Sequence, residues 1–565
     1  MKKILLYLFL LTSVQVFAAK TLYRITPPNF TSINKEFNHV VLDGNLIFQD
    51  LSDNSLWITD GTRTGTHQML NNQQVIKIEP TVKSLVKIDN WIYYLEDTAY
   101  YFGTLWRTNG SQFEQISDNT LDKKTGITFK NRDYYFMSSN KDAIFKLTNN
   151  ALTSVTQGYL INMEMASFCE VDNVSYIRGK LQESDDLSFF KFENGTASSF
   201  DTGIDFSYKV LLANLSVQSD SHCFYAHEPQ VFPEFTRNYI SIDSSGTTKD
   251  LNIQNTGSGL RQDWLFGFAF DGNAYFYPTF SLDSQYYKNL YKFTEESMTV
   301  VPGTSVFAAM NINVEASQDY FTTLTPFHFI GDPVPPDVPK YVLTSYNKNF
   351  EVINTYRFRS HPFAFKILQN NSFISYADNV VGFTTKLTSG EEVTETINVP
   401  NYKIATIVND NNSTYLIGSE NSSNASLILK VTDKAPVSTS LSGLWVAEGL
   451  ASQGMSILTG TRSDNSQYMF ISLYFYRNGQ PLWVAGNRDY DAGTESITFD
   501  LFEYKGTSFI PNDVGLDDQK IAFGSLKLTP QSCSSMSAQF TLNNGVIDLN
   551  LTQLIKQDNT NTCSQ

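Results

Sequence analysis

Residues able to do chemistry are few in this chain and widely scattered. His222 and His227, with Glu228 beside the second, form the one tight group among six histidines, and imidazole with carboxylate is a set that holds zinc. Cys223 adjoins His222, but successive residues of a strand face opposite ways, so the two make a poor joint cradle for one ion. Asp271-Gly272-Asn273 and Asn409-Asp410-Asn411-Asn412 have the oxygen-rich look of calcium loops. Neither supplies the alternating ligands that end in a bidentate glutamate, and both read as turns. A nucleophilic serine would need its elbow and a phosphate site its Gly-rich loop, and the sequence has neither. Asp185-Asp186 and Asp517-Asp518 are neighbours in polar connections, which says nothing of the separation a glycosidase requires. No catalytic residue, metal site or cofactor is therefore assigned. Trp445 and Trp483 remain as candidates to stack on a sugar or another flat ligand, against a plain core role for both.

The four cysteines are an even number. Cys533 begins one expected strand and Cys563 follows the next, so an antiparallel pair brings them together. Cys169 and Cys223 lie at matching places in consecutive repeats and either form a second bridge or stay as buried thiols. Bridges suit the address written at the start: Lys2 and Lys3, an apolar run from Ile4 to Leu11, then Val16-Phe17-Ala18. This reads as a secretory signal over residues 1–18, of bacterial style, leading to the periplasm or beyond. No later stretch is long and apolar enough to span a membrane. A formal charge of −16 with scattered basic residues disfavours nucleic acid and an anionic membrane as partners.

What must position these residues is a repeated phrase, a polar turn followed by an alternating aromatic strand. It appears as Asp43-Gly44-Asn45-Leu46-Ile47-Phe48 and Asp89-Asn90-Trp91-Ile92-Tyr93-Tyr94, then from Asn131, Asp172, Asp220, Asp271, Gln318, Asn371 and Asn412. The spacing is about 46 residues, filled with strands, which is the period of a β-propeller blade. Seven to nine blades fit, and eight is favoured because one of the two weaker copies, at Asp220 or Gln318, reads as spurious. The phrases are expected on inner strands. Thr21-Leu22-Tyr23-Arg24-Ile25-Thr26 is a strand without a phrase before it, so it is expected to complete the last blade near Leu427-Ile428-Leu429-Lys430-Val431 and hide an open edge.

A second strand follows each phrase. The first, Ser55-Leu56-Trp57-Ile58-Thr59-Asp60-Gly61-Thr62-Arg63-Thr64-Gly65-Thr66, resembles the ELWxxDGT repeat of secreted bacterial proteins. Thr104 to Gly110 departs from it at Asn109, and later copies keep only the alternation. The resemblance implies a propeller-like array over residues 19–435 and no shared activity.

From residue 436 to 565 the rhythm changes to a compact meander. Eight strands are expected: Leu444–Glu448, Met455–Thr461, Tyr468–Arg477, Pro481–Asp489, Glu495–Tyr504, Lys520–Thr529, Ser535–Asn543 and Val546–Leu554. Short turns such as Arg477-Asn478-Gly479 suggest an antiparallel barrel. The motifs Ser442-Gly443-Leu444-Trp445, Leu473-Tyr474-Phe475-Tyr476 and Asn478-Gly479-Gln480-Pro481-Leu482-Trp483 resemble an uncharacterised domain of exported bacterial proteins, which implies an accessory module. The expected whole is all-β: an exported, non-catalytic binding protein with a propeller face or channel, its partner a protein, a glycan or a small molecule. An enzyme acting on a glycan or other extracellular substrate at the channel, and a structural surface component, are the alternatives.

Overall fold

In the computed structural model the chain is all-β, with one short 3₁₀ turn at Thr439–Leu441 among the described residues. The structure describes residues 20–563 except for a series of connections, the longest being 202–215, 228–237, 252–264, 327–340 and 506–518. The signal segment lies outside the described residues, as do Glu228, Asp271, the Asp185-Asp186 and Asp517-Asp518 pairs, and Cys533.

Nine antiparallel sheets built on four strands each follow one another from residue 21 to residue 432. The favoured count of eight is thus one short, because the strands that follow both weak copies, His222–His227 and Tyr320–Pro326, are each the second strand of a sheet. A second correction concerns position within the blade. The turn of each phrase joins the first strand to the second, so the aromatic strand is the second one out, as in His39–Leu42 followed by Asn45–Gln49. The first strands of neighbouring sheets approach one another around the ring, and they are the inner ones. Two-residue turns explain the polar part of the phrase. Asp43 and Gly44 take φ of 49° and 83°, and Asp172 and Asn173 take 49° and 64°, the left-handed pair that matches the twist of a hairpin.

The ring closes where the sequence indicated. Thr21–Ile25 pairs antiparallel with Ser426–Thr432, Leu22 opposite Val431 and Arg24 opposite Leu429, as the fourth strand of blade nine. Leu22, Tyr23 and Ile25 are buried there, and Arg24 makes an ion pair with Glu420 at 2.5 Å. Thr562–Cys563 runs parallel to the far side of the same strand, so the tail returns to the propeller and covers its edge. Blades four and five are joined by a Cys169–Cys223 disulfide. Closing a loop of 54 residues contributes about 4 kcal/mol in the chain-entropy account.

Beyond residue 436 the eight expected strands are present within a residue or two at most ends, from Gly443–Ala447 to Gly545–Gln553. They run up and down in sequence order and close as a barrel, Trp445 opposite Gln553. Its interior is filled by Met455, Ile457, Met469, Ile471, Phe499, Leu526, Leu528 and their neighbours, as eight strands dictate.

The closing strand is part of the core, so Leu22→Ala should cost about 2–5 kcal/mol, whereas Leu70→Ala, at a half-exposed position, should fall within about 0.5 kcal/mol of wild type. Denaturant unfolding of the two variants measures the contrast.

Candidate functional site

Most of the titratable groups singled out by sequence serve the fold. His222 is buried on a second strand, its Nδ1 2.8 Å from Ser221 Oγ, and Cys223 beside it is committed to the disulfide. Asp410 is a turn residue of the ring closure: one carboxylate oxygen accepts from Ser413 N at 2.8 Å, the other from Gly44 N of blade one at 2.9 Å. Glu170, on the first strand of blade four, accepts from Lys146 Nζ and Tyr135 Oη of blade three at 3.0 and 3.1 Å. At the opposite end, Lys123 is buried against Asp97 at 2.6 Å, with Glu79 at 3.9 Å, tying together the connections of blades one to three.

A recurring device, unread in the sequence, joins successive blades. Buried tyrosines on second strands donate their hydroxyls into the next sheet: Tyr93 to Asn150 Oδ1, Tyr135 to Glu170, Tyr176 to Asp243 O, Tyr376 to Tyr402 O and, across the seam, Tyr415 to Gly44 O at 2.6 Å. In four of these blades the residue directly opposite on the third strand is a cation, Arg107, Lys146, Lys191 or Lys430, and Tyr275 faces Lys292 likewise. The signal was present as a tyrosine three to five residues into the phrase and a basic residue within the strand that follows. Burial pushes the Tyr176 hydroxyl up to about 12, with Asp243 and Glu193 adding to it. Burial drives Tyr94, Tyr135, Tyr225 and Tyr415 higher still.

The one good ELWxxDGT copy has a specific task. Asp60 Oδ1 accepts from Thr62 N and Oγ1 at 2.7 Å, Thr62 Oγ1 accepts from Gly65 N at 3.0 Å, and a Cβ on Gly65 would overlap the Asp60 carboxylate. The turn so shaped meets the barrel connection between Gln480–Tyr490 and Ile497–Lys505. Arg63 N donates to Ala492 O at 2.9 Å, Thr64 N donates to Asp491 Oδ1 at 3.1 Å and the Thr64 hydroxyl to Asp491 Oδ2. Gly493 has φ of +98°, and a Cβ there would come 2.3 Å from Gly61 O. The propeller thus grips the barrel by one end.

The stacking candidates separate on this barrel. Trp445 is 1% exposed, part of the interior, and donates its indole N–H to Leu441 O at 2.8 Å. Trp483 is 62% exposed on the outer surface, edge-to-face with Tyr474 at 4.4 Å. The two stand on opposite faces of the barrel wall. Trp483 instead belongs to the rim opposite the gripped end, about 25 Å from Asp491 along its own strand. Tyr476 at the end of Gln467–Arg477, Tyr504 at the end of Ile497–Lys505, and Val546 and Ile547 at the start of Gly545–Gln553 are exposed on the same rim. Phe475, Leu482, Phe523 and Phe540 are partly buried just inside it.

No family model matches the chain, and no curated protein matches it. Solved structures with which it aligns include a streptogramin B lyase, at 12% identity over 74% of this chain and 99% of that one, with a TM-score of 0.28. Virginiamycin B lyase from Staphylococcus aureus aligns at 10% identity over 73% and 98%, TM-score 0.25. The WD40 propeller domain of Doa1 aligns at 10% over 73% and 97%, TM-score 0.28. The chain's own sheet order makes it a β-propeller carrying a closed barrel.

Two outcomes follow from this geometry. The buried tyrosines have folded-state pKa values raised above the unfolded value near 10, so their stabilisation is complete below pH of about 10 and is lost as pH climbs through the folded values. In an alkaline titration followed at 295 nm, a fraction of the tyrosines should ionise only as the circular dichroism collapses. Gly493→Val should release the barrel without unfolding it, and limited proteolysis should then cut between residues 432 and 443 where wild type resists.

Proposed function

We propose that this is an exported binding protein without catalytic activity of its own, in which the propeller is the rigid body and the free rim of the barrel is the contact surface. The observation that carries the reading is the exposure of Trp483, Tyr476 and Tyr504 together on the rim farthest from the propeller. Elsewhere Trp57, Trp445 and the phrase tyrosines Tyr93, Tyr135, Tyr176 and Tyr415 are buried, so exposure of three large aromatics at one rim sets it apart. Exposed aromatic clusters mark recognition surfaces. The reading places contact on the barrel rather than on the propeller face or channel. The signal-like segment of residues 1–18 and the Cys169–Cys223 bridge both support an oxidising compartment outside the cytoplasm.

Comparing the two tryptophans tests the reading. Trp445→Ala should cost about 3–5 kcal/mol of stability. Trp483→Ala should leave the thermal midpoint unchanged and abolish binding of the mature protein to whichever probe wild type retains among phospholipid vesicles, acidic polysaccharide and a neutral glycan array. Undiminished binding by Trp483→Ala would refute the surface.

A further inference from the structure

The turn that holds the barrel is itself held from behind. Lys430, in the third strand of blade nine, stands between Tyr415 on one side and Tyr23 of the closing strand on the other. Its ammonium lies 5.8 Å from the centre of the Tyr415 ring and donates to Asp60 O of blade one at 2.6 Å. Burial lowers its pKa from the ordinary lysine value, and the charges of Asp60 and of Glu495 in the barrel oppose that shift. Gly61 is the layer between. At its φ of +97° a Cβ would come 2.7 Å from Lys430 Cδ, and its carbonyl oxygen is the atom that leaves no room for a Cβ on Gly493. Seam, turn and barrel are therefore stacked in contact, with glycine backbone at both steps. The matching turn of blade two is open by comparison. Gly110 has φ of +93° and donates its N–H to Thr108 Oγ1 at 3.0 Å, as Gly61 does to Thr59 Oγ1, yet beyond its chain neighbours nothing lies within 4 Å of where a Cβ would stand.

The barrel also hangs from blade nine. Its linker leaves directly from the strand of Lys430, which ends at Thr432 opposite Thr21. Ala435 is buried in the cluster that joins blades nine and one, with Tyr23, Phe48, Trp57 and Tyr415, and Val437 is buried in the barrel interior. Val437 N donates to Thr494 O at 2.8 Å and Gly493 N to Val437 O at 2.9 Å, so the linker ends on the same barrel connection that blade one grips. The tail returns to Leu22 and Tyr23 on the closing strand.

We infer that the barrel is a clasp across the seam of the ring: tethered to blade nine by the linker and hydrogen-bonded to blade one through the Asp60–Thr66 turn, it holds the two blades together, and the seam opens only after the barrel lets go. Separating the blades would carry Lys430 and residues 433–437 away from Asp60 and Gly61. The short linker, tied down at Val437, leaves too little slack for the barrel to stay on blade one while blade nine departs. Two ties in parallel keep each other's partners at high effective concentration, so each strengthens the other. The complete ELWxxDGT motif stands in blade one because the clasp closes there.

Native-state hydrogen exchange on full-length variants tests the clasp. Asp491→Ala removes both bonds from Thr64, and Gly493→Val removes the close approach to Gly61; neither residue belongs to the seam ladder. Exchange of the Thr21–Ile25 amides should accelerate by about tenfold in Asp491→Ala and further in Gly493→Val. Val174–Leu181 of blade four and Gln467–Arg477 of the barrel should keep wild-type rates, which shows that both bodies remain folded. Wild-type exchange at Thr21–Ile25 in the double variant would overturn the clasp. Equal acceleration at Val174–Leu181 would overturn it too, because the barrel would then support the whole fold and not the seam.

Discussion

The structure depends on one pairing, that of Thr21–Ile25 with Ser426–Thr432. Nine sheets laid side by side leave a free edge unless the first and last share strands, and an unpaired edge in a long β-array invites association with other chains. Here the start of the described chain supplies the outer strand of the last blade. Residues some 400 positions apart are thereby locked in one sheet, and the entropy of closing that loop must be offset at this seam. Leu22 and Tyr23 are buried in it, Arg24 is paired with Glu420, and Tyr415 and Asp410 reach across to Gly44. The seam is reinforced by side chains as well as by the ladder.

The same economy governs the rest of the ring and its attachment. A tyrosine hydroxyl buried between blades must find an acceptor or forfeit its hydration, and the next sheet provides one at several successive seams. The barrel is attached by backbone and side-chain hydrogen bonds from the turn at Asp60–Thr66, with Gly493 allowing close approach, and by the return of Thr562–Cys563 to the closing strand. The turn engages one end, and at the other Tyr476, Trp483 and Tyr504 are exposed.

The sequence made the propeller legible through its turns. A polar turn at a fixed place, Asp-Gly or Asp-Asn in four of the nine copies, followed by alternating aromatics, is hard to mistake when it recurs. The inner strands were not legible. Phe168–Val171 is buried along its whole length and Leu85–Ile88 over half of it, so alternation is blurred, and such short runs carry little signal. The phrase therefore reads one strand too far in, and one of the two weak copies, at Asp220 or Gln318, reads as spurious. In the barrel, turn chemistry located the strands closely, yet the two tryptophans could not be told apart. Leu482-Trp483-Val484-Ala485 is apolar on both faces, so parity could not show that Trp483 points outward. Nor could sequence show that Tyr476, Tyr504 and Ile547 share a rim, since that follows from register across the closed sheet.

Native-state hydrogen exchange on the closing strand tests the central claim most directly. If Thr21–Ile25 is an integral strand of blade nine, the amides of its ladder should exchange only through global opening, with protection matching that of Thr414–Glu420 in the same sheet. Rapid exchange of the Thr21–Ile25 amides beside a well-protected Thr414–Glu420 would contradict the account, because the ring would then be open at the point on which its other contacts rely.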